Sequence, residues 1–270
     1  MDRKKLHRSF WFSIWPKVIL TLLLFVPAVA QRPYDPANTS AVVAAVLSRP
    51  LINGLPALLP VAKLALLLAV ILPVVSGRFS KRLLMGYYGF FLIPVAIFQN
   101  IAVTAEYNLA WLVGNTLLQL VVAAYCLYDF FEHKSEIRSG DFSKGRAWVI
   151  PLMLLAFLMP YGVDASGNIQ PVFSGAVIWN EAAVTYCMIT PVVLGMLLMY
   201  SKGVCKPVLS IIAYAGLLFG LLNMMTWFVM QSQNWWMGVL HLPLLILSIS
   251  GLLTAREKTA PAPALSGSLP

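Results

Sequence analysis

The sequence predicts an all-α polytopic membrane protein, a bundle of about eight transmembrane helices. Three observations predict it. Of 270 residues, 60% are hydrophobic and 11% are charged, where a soluble domain is nearer half apolar and a quarter charged. The apolar residues come in blocks of about 20, enough to cross a hydrocarbon core about 30 Å thick. Basic residues collect in the short loops between blocks, on alternate sides.

The blocks run over residues 11–30, 55–76, 83–104, 108–131, 147–163, 175–200, 207–231 and 234–254. Long apolar runs point to helices, since barrel strands would be short and alternating. One set of loops carries Arg3, Lys4, Lys5, Arg8, then Arg78, Lys81, Arg82, then Lys134, Arg138, Lys144, Arg146, then Lys202, Lys206, and finally Arg256 and Lys258. The opposite loops hold Arg32 and Arg49. This positive-inside pattern predicts a chain in the cell (cytoplasmic) membrane with both termini cytoplasmic. The net charge of +9 therefore sets orientation and is no nucleic-acid footprint. Trp235 and Trp236 fall at the outer interface, where indole rings prefer to sit. Residues 1–256 read as one membrane domain. Residues 257–270, rich in Pro, Ala and Ser, read as a disordered cytoplasmic tail.

The first block has a second reading. Basic residues, a short apolar run after Lys17, and Pro27-Ala28-Val29-Ala30 resemble a cleavable signal peptide. Cleavage would leave seven spans. The retained helix is favoured partly by an internal match between residues 9–131 and 147–254. Pro33-Tyr34 follows the first block, and Pro160-Tyr161 closes the fifth. Ile71-Leu72-Pro73-Val74-Val75 in the second block matches Ile189-Thr190-Pro191-Val192-Val193 in the sixth. Four spans per copy make this a parallel repeat.

The duplication places Lys63 and Glu181 at equivalent positions, each ten residues before its proline. A charge inside a bilayer is expensive and usually marks a paired, functional position. The other polar residues lie at similar depth: Asn115, with Gln119 one turn below, Asn180 beside Glu181, Asn223, His241, and more shallowly Gln99 and Asn100. Together they predict a polar layer in the outer half of the membrane. Leu64–Val75, Leu120–Leu127 and Leu242–Leu247 would close it below. The bland reading of each amide is an interhelical hydrogen bond worth about 0.6 kcal/mol, and of His241 a packed, bonded residue.

Several classes of function find no support. No phosphate-binding GxxxxGK[ST] run occurs. Three histidines offer neither an HExxH zinc motif nor a haem pair. Cys126, Cys187 and Cys205 have no CxxC spacing and read as buried free thiols. Lys63 is a buried amine, but the usual retinal lysine of a last span is missing. Asn38-Thr39-Ser40 fits a glycosylation sequon on the outer side. No cofactor or metal is expected. The expected partners are the lipid bilayer and a small-molecule or lipid ligand reached from the extracytoplasmic side, held by Lys63, Glu181, Asn115, Asn180, Asn223, His241 and Asn100. The leading reading is thus a small-molecule binding or transport protein. A membrane enzyme acting on a lipid or isoprenoid, with Glu181 and His241 as acid and base, is the second reading. A non-catalytic subunit or sensor is the third.

Overall fold

The computed structural model describes residues 13–76, 80–164, 168–178 and 180–257. The N-terminal basic cluster, Arg78, and the tail from Lys258 lie outside the described residues. The described chain is mostly helical. Its helices are α1 (Trp15–Leu23), α2 (Thr39–Ser48), α3 (Leu58–Val75), α4 (Leu83–Phe98), α5 (Val113–Phe131), α6 (Val149–Leu158), α7 (Tyr186–Met199), α8 (Lys206–Met225) and α9 (Trp235–Arg256).

Each predicted block contains a helix, but most of the helices are shorter than their blocks. Four helical segments are long and apolar enough to cross a membrane: Leu58–Val75, Val113–Phe131, Lys206–Met230 and Ser232–Arg256. The third includes a π-helical turn, Thr226–Met230. α4, α6 and α7 are apolar but shorter. At 1.5 Å per residue, the 14 residues of α7 span about 21 Å, short of the hydrocarbon thickness.

The missing length lies at one end of the bundle, the end that holds Arg32 and Arg49. Here the expectation of continuous helix is corrected. Residues 101–104 and 108–111 form an antiparallel hairpin, β2 (Ile101–Thr104) and β3 (Asn108–Trp111), and β1 (Val29–Ala30) adds to β3. Ile101, Val103 and Thr104 are β-branched and favour the extended chain. Asn108 starts β3 with a positive φ of 53°, which Asn tolerates better than most residues. Pro160 similarly stops α6. Met159 before it is left-handed, φ 43°, and the chain turns into a second hairpin, β4 (Tyr161–Val163) and β5 (Ile169–Pro171). The loop that follows the first block carries α2, whose Val42 and Val46 pack on Ala102, Tyr107 and Ala110 of the three-stranded sheet.

In the bundle, α4 with α5 and α8 with α9 form the two most extensive helix hairpins. α8 and α9 meet at small residues: a Cβ on Gly216 would come within 2.3 Å of Ser248 Oγ, and one on Gly251 within 2.8 Å of Ala213 Cβ. Such contacts let apolar helices approach closely where the hydrophobic effect gives them no reason to. α7 is the central element: all of its residues except Cys187 are buried. α3 instead exposes Leu58, Val61, Leu64, Leu67, Leu68, Ile71 and Val75 along its length. Pro73 and Pro191 are both buried, but one helix is half exposed and the other is not, and the packing gives the internal duplication no support.

The basic loops meet at the opposite end. Ile137 N–H donates to Lys81 O, Glu136 N–H to Gly203 O, and Ser143 N–H to Met199 O. Arg146 pairs with Glu257 at 2.9 Å. Glu136 takes Arg138 at 2.8 Å and Arg82 at 2.9 Å. Those two guanidiniums, Arg138 first, hold the Glu136 carboxyl down at about 2, from an ordinary 4.5. A depressed carboxyl contributes stability above its unfolded pKa and loses it as pH falls through the folded one. The loop contacts are therefore expected to weaken between pH 4.5 and about 2. Proteolysis of the 132–148 loop in wild type should rise across that window and stay flat in Glu136→Gln. Equal pH profiles would show that this ion cluster contributes nothing.

Candidate functional site

The segment between β5 and α7 determines where the charges sit. Continuous helix is expected from residue 175. The chain forms two 3-10 turns instead, Gly175–Ile178 and Glu181–Val184. Asn180 explains the break. Its Oδ1 accepts from Ala182 N–H at 3.2 Å, capping the second turn. Its Nδ2 donates to Leu158 O at 2.9 Å and Met159 O at 2.7 Å. Leu158 O closes α6 with no helical donor ahead of it, and Met159 O also accepts from Tyr161 N–H at 2.8 Å. One amide thus starts one element and ends another. Below the break, Tyr186 N–H at the start of α7 donates to Gln99 Oε1 at 2.9 Å.

Lys63, on α3, meets this segment from the side. Only 4% of it is exposed. Its Nζ donates to Val177 O and stands 5.5 Å from the centroid of the Phe157 ring, a cation–π distance. Glu181, in the second 3-10 turn, accepts from the Tyr161 hydroxyl. Among the described residues no ion pair joins Lys63 to Glu181. Of the expected salt-bridge or water-bridged approach in a cavity open to the outside, the direct form is not seen: a carbonyl has taken the ammonium, a phenol has taken the carboxylate, and the amine is enclosed. The two charges still attract through space, and the Glu181 turn packs on α3. Two surface grooves, of about 440 and 280 Å³, are lined by other residues.

No protein family, characterised protein or solved structure matches the chain. Its chemistry must be read from the side chains themselves.

The rest of the expected layer does not converge on Lys63. Asn100 donates to Ala96 O, Asn223 to Phe219 O, and His241 Nδ1 bonds Met237 O. Each bond goes to the carbonyl four residues back in the chain, which occupies these groups where they stand. Asn223 also reaches Cys187 Sγ at 3.3 Å, and His241 packs beside Trp227. Asn115 is half-buried on α5. Gln119 and Asn100 are buried, with Oε1 and Oδ1 unpaired among the described residues. The expected apolar floor is present in part: Leu66, Ala69, Val122, Ala123, Leu244 and Leu247 belong to the main core. Tyr88 and Thr190 interrupt it with a fully buried hydroxyl pair 2.8 Å apart.

Phe157 and Val177 were not legible as site residues, because an aromatic ring and a backbone carbonyl carry no sequence signal of their own. Tyr161 stood out only as half of a Pro-Tyr match. Its nearness to Glu181 depends on the β4 turn, which no periodicity announces.

Proposed function

We propose that the chain is an integral membrane protein of eight spans, with both termini cytoplasmic, that binds or transports a small molecule or ion at the Lys63–Glu181 site. One observation carries the reading. A buried ammonium and a carboxylate are held by a backbone segment that has left the helix just ahead of a fully buried α7. Transporter folds place their sites at such broken helices, where unwound carbonyls and helix ends serve as ligands. Lys63 would trade the Val177 carbonyl for an anionic group of the ligand. Glu181 would take up or release a proton as the charges separate.

The topology is tested first. Ser40→Cys, in the first turn of α2, is expected to react with a membrane-impermeant thiol reagent added outside intact cells, and Lys144→Cys to react only after lysis. Labelling of Lys144→Cys from outside would reverse the orientation.

The site is tested by Lys63→Cys in a background without the three native cysteines. A binding or transport site must open to water during its cycle. Modification from the extracytoplasmic side is the expected result. A residue 63 that never reacts from either side would identify the charges as packed structure and favour the non-catalytic reading.

A further inference from the structure

The first predicted span carries one charge, Lys17, in the first turn of α1. A charged side chain at membrane depth is retained where something balances it. Among the described residues no carboxylate pairs with Lys17. Its ammonium lies 5.8 Å from the centroid of the Tyr214 ring, and the Arg256 guanidinium repels it through space. Arg256 ends α9 and likewise makes no ion pair among the described residues. Among the described residues neither cation has an ion-pair partner, and Glu257, next to Arg256, is taken by Arg146.

The surface around Lys17 is a groove of about 280 Å³, walled by Ile14, Lys17, Val18, Thr21, Leu22 and Tyr214. The Thr21 and Tyr214 hydroxyls stand 2.8 Å apart. Thr21 also donates to Lys17 O at 2.9 Å, so its one proton is used and Tyr214 is the donor between them. Both protons are then used inside the groove, so the cations are its donors to an anion. Ile14 and Leu22 are 69% and 62% exposed, so the apolar wall faces outward along the helix. Lys17 and Arg256 lie at the end of the bundle where the basic loops gather.

We infer that this groove holds one anionic phospholipid of the cytoplasmic leaflet, its phosphate on Lys17 and Arg256 and one acyl chain along Ile14, Val18 and Leu22. The inference rests on the membrane reading above. The charges select the headgroup: a zwitterionic lipid brings its own cation next to two others, and an anionic lipid does not. The apolar wall selects a lipid over free phosphate, which would gain nothing from Val18 and Leu22.

The test uses the full chain, purified in uncharged detergent and stripped of co-purified lipid. Phosphatidylglycerol and phosphatidylcholine are titrated separately, with bound lipid counted by native mass spectrometry. Wild type is expected to take one phosphatidylglycerol at least tenfold more tightly than phosphatidylcholine. Lys17→Met should lose most of that preference and still fold, since it removes a charge from an apolar helix. Lys202→Ala, which removes an exposed cation elsewhere on the basic end, should keep it. Equal preference in wild type and Lys17→Met overturns the site. So does a wild type without preference. Competition by millimolar inorganic phosphate as effective as by the lipid overturns the lipid assignment. A chain that stays monodisperse without detergent would instead refute the membrane reading, separately from this site.

Discussion

Glu181→Ala is expected to be the most damaging single change at the strand-bearing end of the bundle, and adding Lys63→Met should restore most of what is lost. The two residues are not in contact, but Lys63 is 4% exposed and Glu181 is the acid that attracts it. Breaking a buried pair strands the remaining charge and costs about 3–5 kcal/mol when the pair is in contact. Separation lowers that figure, and the Val177 carbonyl and the Phe157 ring continue to hold part of the charge. A loss of about 2 kcal/mol follows for Glu181→Ala. Lys63→Met alone removes the desolvated ion and fills the space with an apolar chain of similar length, so it should cost less. Glu181→Gln keeps an acceptor for the Tyr161 hydroxyl and separates charge from hydrogen bonding. Thermal unfolding of the four variants in detergent gives the cycle. Strict additivity would show that the charges act independently, and the site would then lose its coupling.

What the sequence disclosed and what it hid divide along physical lines. Apolar runs and loop charge report the average environment of whole segments, and a helix does lie in each predicted block. They do not report where a helix stops inside a block. Residues 101–104, 108–111, 161–163, 175–178 and 181–184 lie inside the apolar blocks, yet they form strands and 3-10 turns. The signals were present but local: a β-branched run at Ile101, the Met159–Pro160 junction, and the capping capacity of Asn180. Lys63 and Glu181 could be singled out because charge in an apolar run is rare. Their actual partners, a carbonyl and a tyrosine, could not, because both depend on how hairpin β4–β5 folds back. Of the amide layer, only depth was legible. Depth along a helix says nothing about which way a side chain turns, and Asn100, Asn223 and His241 turned to their own backbones.

Asp129 illustrates the reverse case, a charge near the end of a block that looks like ordinary interface decoration and is fully buried. It sits in the last turn of α5. Its Oδ1 accepts from Ser135 N–H at 2.9 Å and its Oδ2 from Ser135 Oγ at 2.7 Å. Ser135 Oγ in turn accepts from Cys205 N–H at 2.9 Å, just before α8. One carboxylate thus ties the loop after α5 to the turn before α8. Gly203 is set flush against the same loop: a Cβ there would lie 2.1 Å from Glu136 O, backbone against side chain with no rotamer to escape into. Asp129→Ala strands a buried N–H and a buried hydroxyl, and each stranded group costs about 1–3 kcal/mol. Asp129→Asn keeps one acceptor but turns an NH₂ toward a donor, so it should fall between alanine and wild type. Gly203→Ala should separate the same two loops by about 1–3 kcal/mol through overpacking, without touching the carboxylate. All three are expected to unfold at lower temperature in detergent and to expose the 132–148 loop to protease sooner than wild type. The double variant Asp129→Ala, Gly203→Ala should lose less than the sum, since either change alone already frees the loop. An Asp129→Ala protein that unfolds with wild type would mean that the loop is held from elsewhere, and that this buried carboxylate is a passenger.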